Sequence, residues 1–287
     1  MVLVGHPFDT LKVRLQVDGA SGAKKYKGPM DCLLKTVRNE GLLALYKGVR
    51  SPLSGTPFIY ACSFGGWGLG EYLLKEYVPS TIEAKPNGAP GETQLTVPGL
   101  FYIGVFSGFV QSFVYVPTEM VKKRLMIQDN AKGVDSSKVR YKGMIDCARQ
   151  VIKEGGIRKL YVGFPLVLAG YMPAVGLWYG SYGYFRRLLS KPGEEKNPPA
   201  HVSLIAGGLA GVVAYGTFFP LDLIGARLQT NQVYKPPAVV ISEIWKAEGI
   251  AGFYRGYLPC LLRAFPADGA LFLAYELTMK LLRYMNE

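Results

Sequence analysis

Pro7-Phe8-Asp9-Thr10-Leu11-Lys12-Val13-Arg14-Leu15-Gln16 returns as Pro117-Thr118-Glu119-Met120-Val121-Lys122-Lys123-Arg124. It returns again as Pro220-Leu221-Asp222-Leu223-Ile224-Gly225-Ala226-Arg227-Leu228-Gln229. The prolines are 110 and 103 residues apart, so the chain of 287 residues reads as three copies of one unit. That overrides the two domains its length alone would suggest. A second block follows each copy. Tyr26-Lys27-Gly28-Pro29-Met30-Asp31-Cys32 matches Tyr141-Lys142-Gly143-Met144-Ile145-Asp146-Cys147, and Glu40-Gly41 with Tyr46-Lys47-Gly48 matches Glu248-Gly249 with Tyr254-Arg255-Gly256. The middle copy, Glu154-Gly155-Gly156 and Tyr161-Val162-Gly163, is degenerate. The repeats divide the chain into 1–91, 92–196 and 197–287, all parts of a single domain.

Working outward, residues 100–117 and 202–219 are apolar runs without Lys, Arg, Asp or Glu. Each is close to the length that spans a bilayer core. About 20 residues after Gly48, Gly163 and Gly256 are similarly apolar. The chain carries 33 Lys and Arg against 21 Asp and Glu, a net charge of +12, with 49% hydrophobic residues, 35 Gly and 19 Pro. Mean hydropathy is positive, +0.14. This composition excludes disorder and fits a membrane protein with Gly- and Pro-containing helices and basic loops. Each repeat is therefore expected to hold two membrane helices joined by a short amphipathic one. Gly104 with Gly108, and Gly207 with Gly211, would let helix backbones approach closely. Residues 79–91, 129–140 and 191–199 read as hydrophilic linkers. No cleavable signal peptide is expected at the start, where only six residues precede Pro7 and a full span needs about 20.

The chemistry of most enzyme and binding classes is missing. His6 and His201 stand alone, no P-loop is present, and four Cys are too sparse for a disulfide framework. No metal site and no cofactor are expected. The basic residues flank apolar spans instead of interleaving with aromatics, so nucleic acid is not a partner.

The triplicated pattern Pro-x-Asp/Glu-x-x-Lys/Arg-x-Lys/Arg, followed by Glu-Gly-xxxx-aromatic-basic-Gly, resembles the mitochondrial carrier family over the whole chain. The resemblance implies an all-α membrane protein: a six-helix, three-fold pseudosymmetric bundle with short matrix-side helices, here with a truncated first helix. It implies a multi-pass monomer of the mitochondrial inner membrane, with cardiolipin as a lipid partner, that exchanges a small anionic or zwitterionic solute by alternating access. It implies no enzyme activity. Within the family the chain looks most like carnitine/acylcarnitine carriers. The stretches that carry this are Gly5-His6-Pro7-Phe8-Asp9-Thr10, Asp31-Cys32, Asp146-Cys147 and, above all, Arg263-Ala264-Phe265-Pro266-Ala267-Asp268. Carriers of amino acids or of nucleotide-like cofactor anions share several of these features. A carrier-like membrane protein that does not transport is the alternative from another class.

The signature residues would form a matrix gate. A Pro kinks its helix, and the acid at +2 and base at +5 then project toward the axis. Asp9, Glu119 and Asp222 are the acids and Lys12 and Lys122 the bases; Gly225 stands in the third base position, so one acid is expected to lack its partner. Gln16 and Gln229, at +9, resemble the family's glutamine brace, with Met126 in the middle copy. On the cytoplasmic side the corresponding count reaches Glu71, Arg186 and Glu276, and Glu71 is expected to meet Arg186 or to be an ordinary helix-end charge. The family's three contact points fall on Gly55-Thr56, Gly170-Tyr171 and Arg263-Ala264. A guanidinium at mid-membrane calls for an anion, and carboxylate fits it bidentately. Asp268 or a backbone carbonyl is the alternative partner for Arg263. Tyr171, with Trp178 and Tyr179, could wall a quaternary ammonium.

Overall fold

The computed structural model describes residues 2–18, 25–84, 93–128, 141–190, 199–230 and 235–263. It is helical almost throughout. Repeat one contains α1 (Val2–Val17), α2 (Pro29–Glu40) and α3 (Arg50–Tyr77); repeat two contains α4 (Val97–Ile127), α5 (Met144–Gly155) and α6 (Phe164–Leu189). Repeat three contains α7 (Ala200–Thr230), α8 (Pro237–Gly252) and α9, residues 257–263. The first helix has 16 residues where α4 and α7 have 31 each. At 1.5 Å per residue the long helices reach about 46 Å, more than a bilayer core. Both α4 and α7 are long and apolar enough to cross a membrane, with mean hydropathy 1.5 and 1.7 in their best windows. Among the described residues, a short hairpin departs from all-helix, with its first strand in the linker 79–91 and its second just beyond it. Strands β1 (Ile82–Ala84) and β2 (Thr93–Leu95) pair antiparallel with Ile82 opposite Leu95.

The short helices obey the amphipathic rule. Residues four apart share a helix face, and the buried pairs are Cys32 and Thr36 in α2, Cys147 and Val151 in α5, and Val240 and Ile244 in α8. The apolar members of these pairs seal small cores against the proline-containing helix of the same repeat. Cys32 joins Leu11 and Leu15; Cys147 and Val151 join Met120 and Leu125; Val240 and Ile244 join Leu223 and Leu228. Three equivalent cores thus anchor the short helices, and all four Cys are free thiols.

Glycines mark where the long helices touch. A Cβ on Gly104 would lie 2.7 Å from the Gly176 Cα, and one on Gly108 3.2 Å from the Met172 Cα, so α4 and α6 cross backbone to backbone. A Cβ on Gly207 or Gly211 would meet nothing within 4 Å among the described residues, which end at residue 263. Positive φ occurs in two matched sets, Gly41, Gly156 and Gly249, and Gly48, Gly163 and Gly256. Their spacing of seven residues sets the register of the middle repeat. Gly156 is the counterpart of Gly41, so Gly155 stands where the other repeats carry Glu40 and Glu248.

Candidate functional site

Pro7, Pro117 and Pro220 lie inside α1, α4 and α7. Without an N–H they cannot close the helical ladder, and beyond them the three helices meet. There Lys122 Nζ lies 2.9 Å from Asp9 Oδ2, joining α4 to α1, and Lys12 Nζ lies 2.8 Å from Asp222 Oδ2, joining α1 to α7. Both links run from the acid of one repeat to the base of the next. At the third boundary Gly225 offers no charge. Glu119 turns instead to Lys122, at 3.1 Å in its own helix, so the acid expected to be partnerless shares a base. Two cations outside the signature count also enter the ring: Lys123 Nζ, 3.4 Å from Asp222 Oδ1, and Arg263 Nε, 3.4 Å from Asp9 Oδ1. The Lys12 ammonium also lies 5.7 Å from the Tyr215 ring centroid and 5.5 Å from that of Phe219. Removing one partner of such enclosed pairs strands a charge and costs about 3–5 kcal/mol.

Beneath the ring, Gln16 Nε2 donates to Asp222 Oδ2 at 3.0 Å, which places a brace under the Lys12–Asp222 pair. Gln229 is fully buried but makes no side-chain hydrogen bond among the described residues, and Met126 is fully buried in the middle copy. A third layer was not anticipated from the sequence. The arginine at +7 of each repeat donates its Nε to the main-chain carbonyl at +9 of the next. Arg14 reaches Met126 O at 3.2 Å, Arg124 reaches Gln229 O at 3.0 Å, and Arg227 reaches Gln16 O at 2.9 Å. These carbonyls belong to helix C-terminal turns, where they have no intrahelical donor and attract positive charge. The triple register of Arg14, Arg124 and Arg227 was the available signal.

Around this layer, Glu40 accepts from Arg14, with Nη2 to Oε2 at 3.0 Å, and also from Lys47. Burial would raise the Glu40 pKa, but hydrogen bonds from Arg14 and Lys47 hold it at about 2. Lys47 also donates to Gln128 O at 3.0 Å, in repeat two. In repeat three Glu248 accepts twice from Arg255, which crosses to Asp18 of repeat one. The middle repeat has Gly155 and Val162 at these two positions, and Arg124 bonds the Tyr141 hydroxyl instead, at 3.2 Å.

Above the ring the contact residues separate into two kinds. Arg263 stands at the floor beside Asp9, and Gly5 makes room for it, since a Cβ there would be 3.3 Å from the Arg263 Cγ. Gly55 and Gly170 lie at helix crossings: a Cβ would sit 2.5 Å from Thr118 Cγ2 and 3.0 Å from Leu221 Cβ, respectively. They let α3 approach α4 and α6 approach α7. The Thr56 hydroxyl donates to the Pro52 carbonyl within its own helix. Tyr171 stacks on Tyr115, ring centroids 4.1 Å apart, and its hydroxyl donates to Gln111 Oε1 at 3.1 Å. Gln111 in turn donates to Ser63 and Ser107 at 3.1 and 3.0 Å, a buried network across α3, α4 and α6 that sequence inspection missed. Trp178 stacks on Tyr182 and meets Tyr179 edge to face, and Tyr179 lies tilted against Trp67, so these aromatics pack on one another.

At the far end, the Glu71 carboxylate pairs with Lys75, one turn along α3 at 2.8 Å. Such an exposed i,i+4 pair contributes little. Arg186 lies in the last turn of α6. Glu276, Asp268 and Ala264 lie outside the described residues. No cluster of His, Cys, Asp and Glu fit for a metal occurs among the described residues.

A family model described as mitochondrial carrier protein matches residues 1–76, 93–193 and 196–286, one match per repeat. The mouse mitochondrial carnitine/acylcarnitine carrier protein is 34% identical over 292 residues, covering 99% of this chain and 91% of its own length. The Arabidopsis thaliana mitochondrial carnitine/acylcarnitine carrier-like protein is 35% identical over 291 residues, covering 96% and 92%. The Dictyostelium discoideum mitochondrial substrate carrier family protein S is 35% identical over 288 residues, covering 98% and 93%.

Proposed function

The chain belongs to the mitochondrial carrier family, whose members are transporters and not enzymes, and from that premise we propose that this mitochondrial solute transporter moves a carboxylate-bearing metabolite of the carnitine/acylcarnitine type. The observation that carries the reading is Arg263, whose guanidinium sits 3.4 Å from a carboxylate oxygen of Asp9 at the floor of the helix bundle. A cation in that place attracts a solute carboxylate, and the neighbouring Asp9 and Tyr215, with Tyr171 in the same bundle, suit a quaternary ammonium at the solute's other end. In the inner membrane the six expected spans make the protein multi-pass. The ionic ring of Asp9, Lys12, Glu119, Lys122 and Asp222 is its matrix gate, with Gln16 as brace. Solute arriving at Arg263 competes for Asp9's partner, loosens the ring, and lets the opposite side close. Glu71, Arg186 and Glu276 belong to that opposite side.

A lipid phosphate, as in cardiolipin, fits a pocket of about 360 Å³ lined by Tyr46, Lys47, Arg50, Lys142 and Gly143. The start of α5 there supplies amide donors. The protein works as a monomer in this reading.

Proteoliposomes loaded with unlabelled carnitine and offered radiolabelled carnitine, amino acids or nucleotides test the substrate class. Uptake of carnitine that disappears in Arg263→Ala, with the variant still helical and monodisperse, supports the reading. Carnitine uptake by the variant equal to that of the parent refutes the role of Arg263, and uptake of nucleotides alone refutes the substrate class.

A further inference from the structure

The three-fold register exposes an imbalance between the repeat boundaries. The boundary from repeat one to two has Asp9–Lys122, and that from three to one has Asp222–Lys12. The boundary from two to three has Gly225 in place of the base, and Val162 where Lys47 and Arg255 cross to the next repeat elsewhere. Two links that cross the other boundaries are therefore missing from this one. At position +6 the other two repeats carry Val13 and Ala226, both buried; repeat two alone places a cation there, Lys123, 3% exposed. An ammonium at a position otherwise apolar is costly unless paired. Its partner is Asp222 Oδ1, across on α7, at 3.4 Å.

We infer that Lys123–Asp222 is the missing third link of the matrix gate, built with reversed polarity: the base is on α4 and the acid on α7, where the ordinary register would have Glu119 on α4 and a base at 225. Asp222 then holds two boundaries at once, taking Lys12 on one oxygen and Lys123 on the other. Lys123 is a positioning residue of the gate, and it offsets the loss of charge at Gly225. The inference rests on the carrier reading given above.

Its test is access to a thiol placed below the ring. Met126, fully buried beneath the gate, is changed to Cys in a full-length chain whose four native cysteines are Ser, reconstituted in lipid nanodiscs. A membrane-impermeant maleimide then reports opening of the matrix side. Lys123→Val, which installs the residue repeat one carries, is expected to speed labelling about tenfold, the size of a coupled pair. Adding Gly225→Lys supplies the ordinary-polarity link to Glu119 and is expected to bring labelling back to within about twofold of the parent. Gly225→Ala serves as the steric control, because a Cβ at 225 meets Val167 Cγ2 at 3.0 Å, and should not restore protection. If Lys123→Val destabilises the fold, Lys123→Met, which keeps the chain length, carries the same expectation. Unchanged labelling in both, or no rescue by Gly225→Lys, overturns the inference. The paired variant Asp9→Asn with Asp222→Asn separates the two readings: fast labelling there with slow labelling in Lys123→Val overturns only this link. Slow labelling in the paired variant overturns the gate itself and this link with it.

Discussion

Glu40→Gln is the sharpest probe of the layer beneath the gate. In the native protein the carboxylate takes two hydrogen bonds from Arg14 and one from Lys47, and its side chain is 4% exposed. Arg14, 3% exposed, keeps Thr36, the Met126 carbonyl and Tyr26 but loses its buried counter-charge once Glu40 is neutral. The magnitude follows in two ways. A carboxyl held at about 2 from an ordinary 4.5 contributes about 3 kcal/mol at neutral pH. Stranding one partner of a buried pair costs about 3–5 kcal/mol. An apparent melting temperature lower by about 6–12 °C is expected for the variant in detergent at pH 7 and fixed scan rate. The sign with pH is determined. Because the folded pKa is depressed, the contribution is complete above the unfolded value of 4.5 and is lost as pH falls toward about 2. Gln does not titrate, so the gap between parent and variant should be constant from pH 8 to 6 and narrow steadily between pH 5 and 2. Equal melting at pH 7, or a gap that persists undiminished at pH 2.5, would refute the reasoning.

Arg263→Lys should retain only part of the exchange activity, with a raised KM in proteoliposomes, because a point charge lacks the guanidinium's two-pronged geometry. Gly104→Val should lower stability by about 1–3 kcal/mol or more, since the new Cβ would start 2.7 Å from the Gly176 backbone; thermal unfolding in detergent measures it. Tyr171→Phe leaves Gln111 Oε1 without its donor and should cost about 1 kcal/mol in the same assay, with the Tyr115 stack preserved. Burial pushes the Cys32 thiol up to about 11, so it should react with maleimide far more slowly at pH 8 than Cys62, which mass spectrometry of the labelled peptides can follow.

The sequence by itself determined whatever depends on register. Three prolines followed at +2 and +5 by acid and base specify three kinked helices with charges at one depth, and two of the resulting pairs, Asp9–Lys122 and Lys12–Asp222, are present. The apolar runs and the i,i+4 pairs of the short helices likewise specify element type and buried face. What only the tertiary structure decided is where helices face each other across the axis. Lys123 lies one position outside the repeat frame, and its reach to Asp222 depends on the rotation of α4 relative to α7. Arg263 sits far from Asp9 in the chain, and their approach needs the last repeat to close against the first. The same holds for Gly55 and Gly170. A glycine at a solute-contact position and a glycine at a helix crossing look identical in sequence, and only the 2.5 and 3.0 Å approaches of Thr118 and Leu221 show that Gly55 and Gly170 lie at helix crossings. The middle repeat's register was similarly hidden, because Glu154-Gly155 imitates the acid-glycine pair while the positive φ falls one residue later, at Gly156. Periodicity specifies a residue's place on its own helix; the partner it meets is set by packing between helices, which no local pattern encodes.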